Sequence, residues 1–368
     1  MGEVVGWYDH SVLYRFRARF AVFLFGCSIV ILPFVCFGAY VSLFLYPLFQ
    51  MTFGQPIADM YSCFCFLVIL IYTVYWIWDI DTPYRGGRRI KWLRNLPLWK
   101  WVADYFAARL IVSEELCTWA KENGYEVGEN LELVKLPTSV NYLVGYHPHG
   151  PLAIGALMAY GSDSLNFSKV FPGIKPHMAT LNGHYDVPFY RDYALFGGGV
   201  SVSRESLIYL LDKELTGVTG NLVAVSVGGA TEALESRPGH YVLMLSRRRG
   251  FFRIALKTGA HLIPSLGFGE TNMYDQVANP VGSVLRRVQD WFTHTFTFSP
   301  PIFYSWRVIP YRKPLNVVVG KPIVCKRTPS PTDEEIDNLR EQYKQQLTDM
   351  FFKYRPLYDP TAEDIRFY

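Results

Sequence analysis

Apolar and polar positions divide the chain into residues 1–85, which carry long uncharged runs, and residues 86–368, where short apolar runs alternate with turns. Residues 20–49 are thirty consecutive positions without a charge. As one continuous helix they would extend about 45 Å, against a hydrocarbon core of roughly 30 Å. Such a run must tilt, break or re-enter, and Pro33 and Pro47 are the natural break points because each removes a backbone donor. A second apolar run, 61–78, would span about 27 Å as helix, enough for one crossing. Two buried helices of a soluble core are the alternative, and thirty uncharged residues among so many aromatics argue against it.

Flanking charges orient the pair. Arg15, Arg17 and Arg19 precede the first run, Arg85, Arg88, Arg89 and Lys91 follow the second, and the connecting loop carries only Asp59. Excess Lys and Arg mark the cytosolic side, so a hairpin with both termini in the cytosol is expected, with residues 86–368 forming a cytosol-facing domain.

Beyond the hairpin the pattern is α/β. NYLVGY (141–146), NLVAVSV (221–227), HLIPSLGF (261–268) and LNVVVG (315–320) predict buried strands bounded by turn residues, with helices between them. Near the C-terminus Thr332 and Glu335 form a capping box, and Ile336, Leu339, Tyr343, Leu347 and Met350 recur at helical spacing. That helix packs its stripe on the domain or on a bilayer surface. There is no internal repeat and no low-complexity linker.

Composition changes this picture little. Charged residues make up 18% of the chain, below the roughly 25% of soluble domains, and the deficit lies near the N-terminus. A net charge of +4 is too small to imply nucleic acid, although Arg88, Arg89, Lys91 and Arg94 form a run suited to anionic headgroups or to a solvated loop. Cys27, Cys36, Cys63 and Cys65 sit in apolar stretches, and Cys117 and Cys325 stand far apart without a CxxC partner, so reduced thiols are expected. The N-terminal run is too long for a cleaved signal peptide and lacks a small-residue cleavage site.

Candidate chemistry begins where the first predicted strand runs into HPHG. His147 and His149, separated by Pro148 and followed by Gly150, fall at a strand's carboxyl end, where α/β sheets gather ligands and catalytic groups. An imidazole there can deprotonate an alcohol attacking a thioester carbonyl, or it can merely satisfy a turn. The next predicted strand ends in Gly228 and Gly229 and presents Glu232, which could orient the imidazolium or face solvent at the start of a helix. Arg247, Arg248, Arg249, Arg253 and Lys257 follow, suited to the phosphates of coenzyme A or to a solvated helix face. Gly197 to Gly199 lacks phosphate-loop spacing and is assigned to a turn. A zinc hydrolase would need three or four ligands, and only His147 and His149 stand at ligand spacing, so no metal is expected.

Several segments together resemble the type-2 diacylglycerol acyltransferase family, which also includes monoacylglycerol and wax-alcohol acyltransferases. They are DTPYRGGRR (81–89), YHPHG (146–150), PFYRDY (188–193), SVSRES (201–206), GGATEAL (228–234), RRGFFRIAL (248–256), FGE (268–270) and VVGKPI (318–323). The resemblance implies a membrane hairpin followed by a glycerolipid-acyltransferase-like α/β domain with a mixed sheet. It also implies residence in the endoplasmic reticulum membrane, with movement to lipid droplets. Acyl-CoA would be the donor, with no separate cofactor, and diacylglycerol or a related lipid alcohol the acceptor. Self-association into a homo-oligomer is left open. By this resemblance HPHG is the counterpart of the HxxxxD motif of the wider glycerolipid acyltransferases, which points to His149 as base. The pattern departs here: Leu152 and Ile154 stand five residues after the two histidines, and Glu232 is expected to take the aspartate's place. A non-catalytic hairpin protein coating lipid droplets would account for residues 20–78 but not for the polar groups after the strands.

Overall fold

The computed structural model describes residues 10–53, 60–129, 132–296, 299–305 and 309–368. Three long helices open the chain: α1 (Val12–Val30), α2 (Leu32–Phe53) and α3 (Met60–Trp78). The uncharged run breaks at Ile31, just before Pro33, which occupies the first turn of α2, where a missing N–H costs nothing. Pro47 stays inside α2 without ending it. The first half of the run belongs to α1, whose Ala18, Ala21, Val22 and Phe25 are buried. Phe25 meets Trp99 edge-on, docking α1 on the helix Pro97–Tyr105. The segments apolar and long enough to cross a membrane are Leu32–Phe49 and Ser62–Tyr84, and only 6% and 17% of them is buried, unlike core helices of a soluble protein. Residues 54–59, with the Asp59 used to orient the pair, lie outside the described residues.

The domain is built on strands β1 (Arg109–Val112), β2 (Tyr142–His147), β3 (Lys175–Thr180), β4 (Gly199–Ser201), β5 (Asn221–Ser226), β6 (Val242–Leu243), β7 (His261–Phe268), β8 (Asp275–Gln276), β9 (Phe303–Tyr304), β10 (Asn316–Val319) and β11 (Arg366–Phe367). Seven of them form one sheet in the order β1-β10-β7-β2-β5-β3-β4, parallel throughout except where β10 meets β7. The sheet is therefore mixed. β2 lies at its centre and is buried along its whole length, as a strand covered on both faces must be. Val144, Ala224 and Ile263 enter one apolar layer with α1 and the segment 153–171, while Leu143, Val223 and Leu262 enter the other with the helices Arg204–Leu211, Arg249–Thr258 and Asp333–Tyr358. The last of these carries the Thr332–Glu335 capping box and buries Ile336, Leu339, Tyr343, Leu347 and Met350 on the domain.

An ionic collar joins the end of α3 to this domain. Arg191 is fully buried and pairs with Asp79 at 3.1 Å while donating to the Asp79 carbonyl at 2.9 Å. Arg88 bridges Asp79 and Asp192, the latter at 3.1 Å. The Tyr72 and Tyr75 hydroxyls of α3 donate to Asp192 at 2.9 and 2.6 Å. Arg88 of the DTPYRGGRR segment and Arg191 and Asp192 of the PFYRDY segment thus join Asp79, just past the end of α3, as two cations and two anions that neutralise one another at the junction. The basic run is accordingly not a headgroup surface as a whole. Arg94 is buried, and its guanidinium donates to the carbonyls of Tyr160, Gly161 and Gly197, each at 2.8 Å, leaving Arg89 and Lys91 exposed.

Removing one partner of such a pair strands a buried charge, at a cost of about 3–5 kcal/mol, whereas removing both is far milder. Asp79→Leu and Arg191→Met are each expected to lower the thermal unfolding midpoint of the detergent-solubilised protein sharply. The double variant is expected to recover most of the loss.

Candidate active site

The carboxyl ends of β2, β5 and β7 lie side by side, since Tyr146 pairs with Ser226 on one flank and His147 with Leu266 on the other. The chain leaves β2 towards β3 on one side and later passes to β7 on the other, so the loop after β2 occupies the switch point of the sheet.

His149 sits in that loop, partly exposed. Its ring Nδ1 lies 2.8 Å from the Gly150 carbonyl, which can only accept, so Nδ1 carries the proton and Nε2 keeps its lone pair. Burial lowers the ring pKa, opposed by that hydrogen bond, and a neutral imidazole at pH 7 follows. The Ala153 N–H donates to the His149 carbonyl at 3.0 Å and closes the loop.

Two buried carboxylates hold this loop from opposite ends. Glu232 Oε1 accepts from the His149 backbone N–H at 2.5 Å and Oε2 from the Met244 N–H at 3.0 Å. The carboxylate expected to orient the imidazolium therefore grips the backbone beneath it, because the ring's Nδ1 proton is already engaged by Gly150. A Cβ on Gly228 would stand 1.8 Å from Glu232 Oε2, so only glycine lets the side chain fold back in this way. Arg248 donates to the Gly228 carbonyl at 2.8 Å, and Gly229 turns the chain at φ +59°.

Glu270 is the second carboxylate. Its Oε1 accepts from the Ile154 N–H at 2.8 Å, and its Oε2 from the Gly155 N–H and the Tyr146 hydroxyl, each at 2.7 Å. It satisfies amides opening the helical segment that starts at Ile154, where a negative charge is favoured. Gly150, at φ +63°, passes so close that a Cβ would meet Glu270 Cγ at 2.5 Å. Burial pushes both carboxyls up to about 7, against the donors that favour the charged form.

The second histidine plays another part. His147 is fully buried, its Nε2 3.1 Å from the Tyr343 hydroxyl, which in turn donates to the Gly145 carbonyl at 3.1 Å. Burial lowers its pKa to about 3, so it stays neutral, locking the terminal helix to β2. Pro148, between the two histidines in sequence, is buried.

The five cations divide. Arg249 pairs with Asp333 and Asp337, and Arg253 with Asp333, so both are engaged by the terminal helix. Arg247 and Arg248 remain exposed near Gly228, and Lys257 is partly exposed on the helix Arg249–Thr258. A cleft of about 560 Å³ lined by Tyr125, Lys135, Thr138 and Gly173 opens at the amino edge of the sheet, away from His149. Among the described residues no three His, Cys, Asp or Glu converge as a metal site. Sequence reasoning missed Glu270 and Tyr343 as site residues. The signal for Glu270 was a carboxylate two residues beyond a predicted strand, nearer to its strand end than Glu232, which stands five residues beyond 221–227.

The chain matches the family model described as "Diacylglycerol acyltransferase" over residues 59–367. "Diacylglycerol O-acyltransferase 2" of Danio rerio is 38% identical over 311 residues, covering 82% of this chain and 80% of that one. The protein of the same name from Homo sapiens is 36% identical over 299 residues, covering 79% and 71%. Among solved structures, the 1-acyl-sn-glycerophosphate acyltransferase of Thermotoga maritima covers 78% of this chain and 95% of its own, at 12% identity and a TM-score of 0.36, too low to bear on the arrangement of the fold.

Raised carboxyl pKa values set a direction for stability. A group whose folded pKa lies above its unfolded value of 4.5 contributes stability below pH 4.5 and loses it as pH rises through about 7. For Glu270 this amounts to on the order of 3 kcal/mol. The wild type minus Glu270→Gln difference in unfolding free energy is expected to fall between pH 5 and pH 8. A difference independent of pH would show that Glu270 is not desolvated as described.

Proposed function

Because the chain belongs to the diacylglycerol acyltransferase family, we infer that it is an acyl-CoA:diacylglycerol O-acyltransferase, moving a fatty acyl group from the thioester of acyl-CoA onto the free hydroxyl of diacylglycerol. One observation carries the choice of base: at the tip of β2 the Nδ1 proton of the partly exposed His149 ring is held by Gly150, which leaves Nε2 as an acceptor.

The acceptor hydroxyl gives its proton to Nε2 as its oxygen adds to the thioester carbonyl. The tetrahedral adduct collapses, the carbon–sulfur bond breaks, and the imidazolium returns the proton to the departing CoA thiolate. Triacylglycerol and free CoA result, with no covalent enzyme intermediate and no cofactor beyond the donor. Glu232 acts through the backbone, fixing the His149 amide and with it the ring's position, and Glu270 fixes the far end of the loop. Arg247 and Arg248, exposed beside Gly228, would meet the CoA phosphates, with Lys257 as a further cation.

The lipid acceptor calls for a bilayer. The exposed apolar surfaces of α2 and α3 support a hairpin crossing the endoplasmic reticulum membrane, with both termini and the domain on the cytosolic side and access to lipid droplets from there. The same single hydroxyl beside an apolar body would let monoacylglycerol or a fatty alcohol use this base.

Isolated membranes given labelled acyl-CoA and a panel of alcohols are expected to form triacylglycerol fastest. His149→Ala is expected to lower turnover by about a hundred- to ten-thousand-fold while leaving the protein folded and membrane-bound. His147→Gln, which keeps a donor towards Tyr343, is expected to retain most of the turnover of the folded fraction. Wild-type turnover in folded His149→Ala would remove His149 as base.

A further inference from the structure

The segment between β7 and β10 carries a helix, Val284–Phe296, whose two sides are reversed relative to an ordinary surface helix. Its domain-facing side is polar. Arg286 is 7% exposed and pairs with Glu235 at 2.5 Å and Asp290 at 3.0 Å. Gln289 is 1% exposed, accepting from Asn279 at 2.8 Å and donating to the Pro300 carbonyl at 3.0 Å. The outward side is apolar: Val284, Val288 and Trp291, spaced four and three residues apart, are 71%, 47% and 57% exposed. Arg287 is exposed at the margin of this stripe. Ile302, just before β9, and Tyr304 within it add further exposed apolar surface on the short ribbon of β8 and β9.

We propose that this helix lies in the headgroup region of the bilayer that α2 and α3 cross, as a third membrane contact that seats the catalytic edge on the lipid surface. The proposal rests on the reading of α2 and α3 as membrane spans. Three observations favour lipid as the occupant. The segment leaves β7 and enters β10 at the edge of the sheet that carries His149, the edge from which β3 runs on to the Arg191–Asp192 collar at the end of α3. It also touches the layer beneath α1, since the Tyr105 hydroxyl donates to the Pro310 carbonyl at 2.8 Å and the Pro97–Tyr105 helix carries α1. Finally, an apolar stripe containing Trp and bordered by Arg suits the boundary between acyl chains and phosphates, where an indole and a guanidinium each find their medium.

The consequence is functional. Diacylglycerol stays dissolved in the bilayer, and a domain held only by the α3 collar could pivot about it. A second, peripheral contact fixes the height of the strand tips above the acyl chains, so that a lipid hydroxyl reaches His149 without leaving the membrane.

Photocrosslinking tests this on the full-length chain reconstituted in phosphatidylcholine–phosphatidylserine vesicles. The photoreactive p-benzoyl-phenylalanine replaces Val288 in one variant, Ile71 of α3 in a second, and Glu214 at the amino edge of the sheet in a third. Lipid adducts at positions 288 and 71 and none at 214 are expected. An adduct at 71 without one at 288 overturns the proposal and leaves the membrane spans standing. Crosslinking of position 288 to a second copy of the chain also overturns it, in favour of self-association. Absence of lipid adducts at 71 as well removes the membrane reading and the proposal with it.

Discussion

A carboxylate taken out of water must be given donors, and at the carboxyl edge of this sheet the donors are backbone amides of the loop after β2. Glu232 and Glu270 arrive from two different strands, β5 and β7, and seize the loop at His149 and at Ile154–Gly155. Neither carboxylate has room unless nearby positions are glycine, which is why Gly228 and Gly150 flank them. Both ends of the loop are pinned, and within it the His149 Nδ1 proton is held by the Gly150 carbonyl. The arrangement differs from a triad: an acid sets the position of the proposed base, His149, through the main chain, and a carbonyl sets its tautomer.

The same edge organises the membrane part. Charges that would be prohibitive beside lipid are collected into the collar of Asp79, Arg88, Arg191 and Asp192, where they cancel and bind α3 to the domain through Tyr72 and Tyr75. Reactive loop, collar and reversed amphipathic helix all belong to the edge where β2, β5 and β7 end. On the proposed reading, a lipid acceptor and a water-soluble thioester meet where apolar and polar surfaces of one protein adjoin.

Much of this was legible in residues. Central strands are continuous apolar runs, so β2, β5, β7 and β10 fell within a residue of the positions read from pattern. β1, β3 and β4 were missed: β3 reads KPHMAT, with a proline and a histidine in place of β-branched residues, and β4 is three residues long. Pro33 announced the break before α2, because proline fits a first turn. Pro47 did not break it, because the remaining hydrogen bonds of a long apolar helix carry the chain through. HPHG and GGATE marked the loop and one of its clamps. The second clamp stayed hidden because FGE gives no hint that its glutamate faces inward, and the contact of Glu232 with an amide instead of a ring depends on backbone direction, which residue spacing does not encode. The five cations looked alike in sequence, and only packing of the terminal helix separates Arg249 and Arg253, engaged by aspartates, from Arg247 and Arg248.

The central claim concerns where one nitrogen points. An experimental structure of the protein in lipid, bound to a non-cleavable thioether analogue of acyl-CoA together with diacylglycerol, tests it most directly. The account predicts the acceptor hydroxyl within about 3 Å of His149 Nε2, on the side facing the acyl carbon. A ligand seated with its acyl carbon beyond reach of His149, or a His149 ring donating from Nε2 to a protein carbonyl, would contradict it.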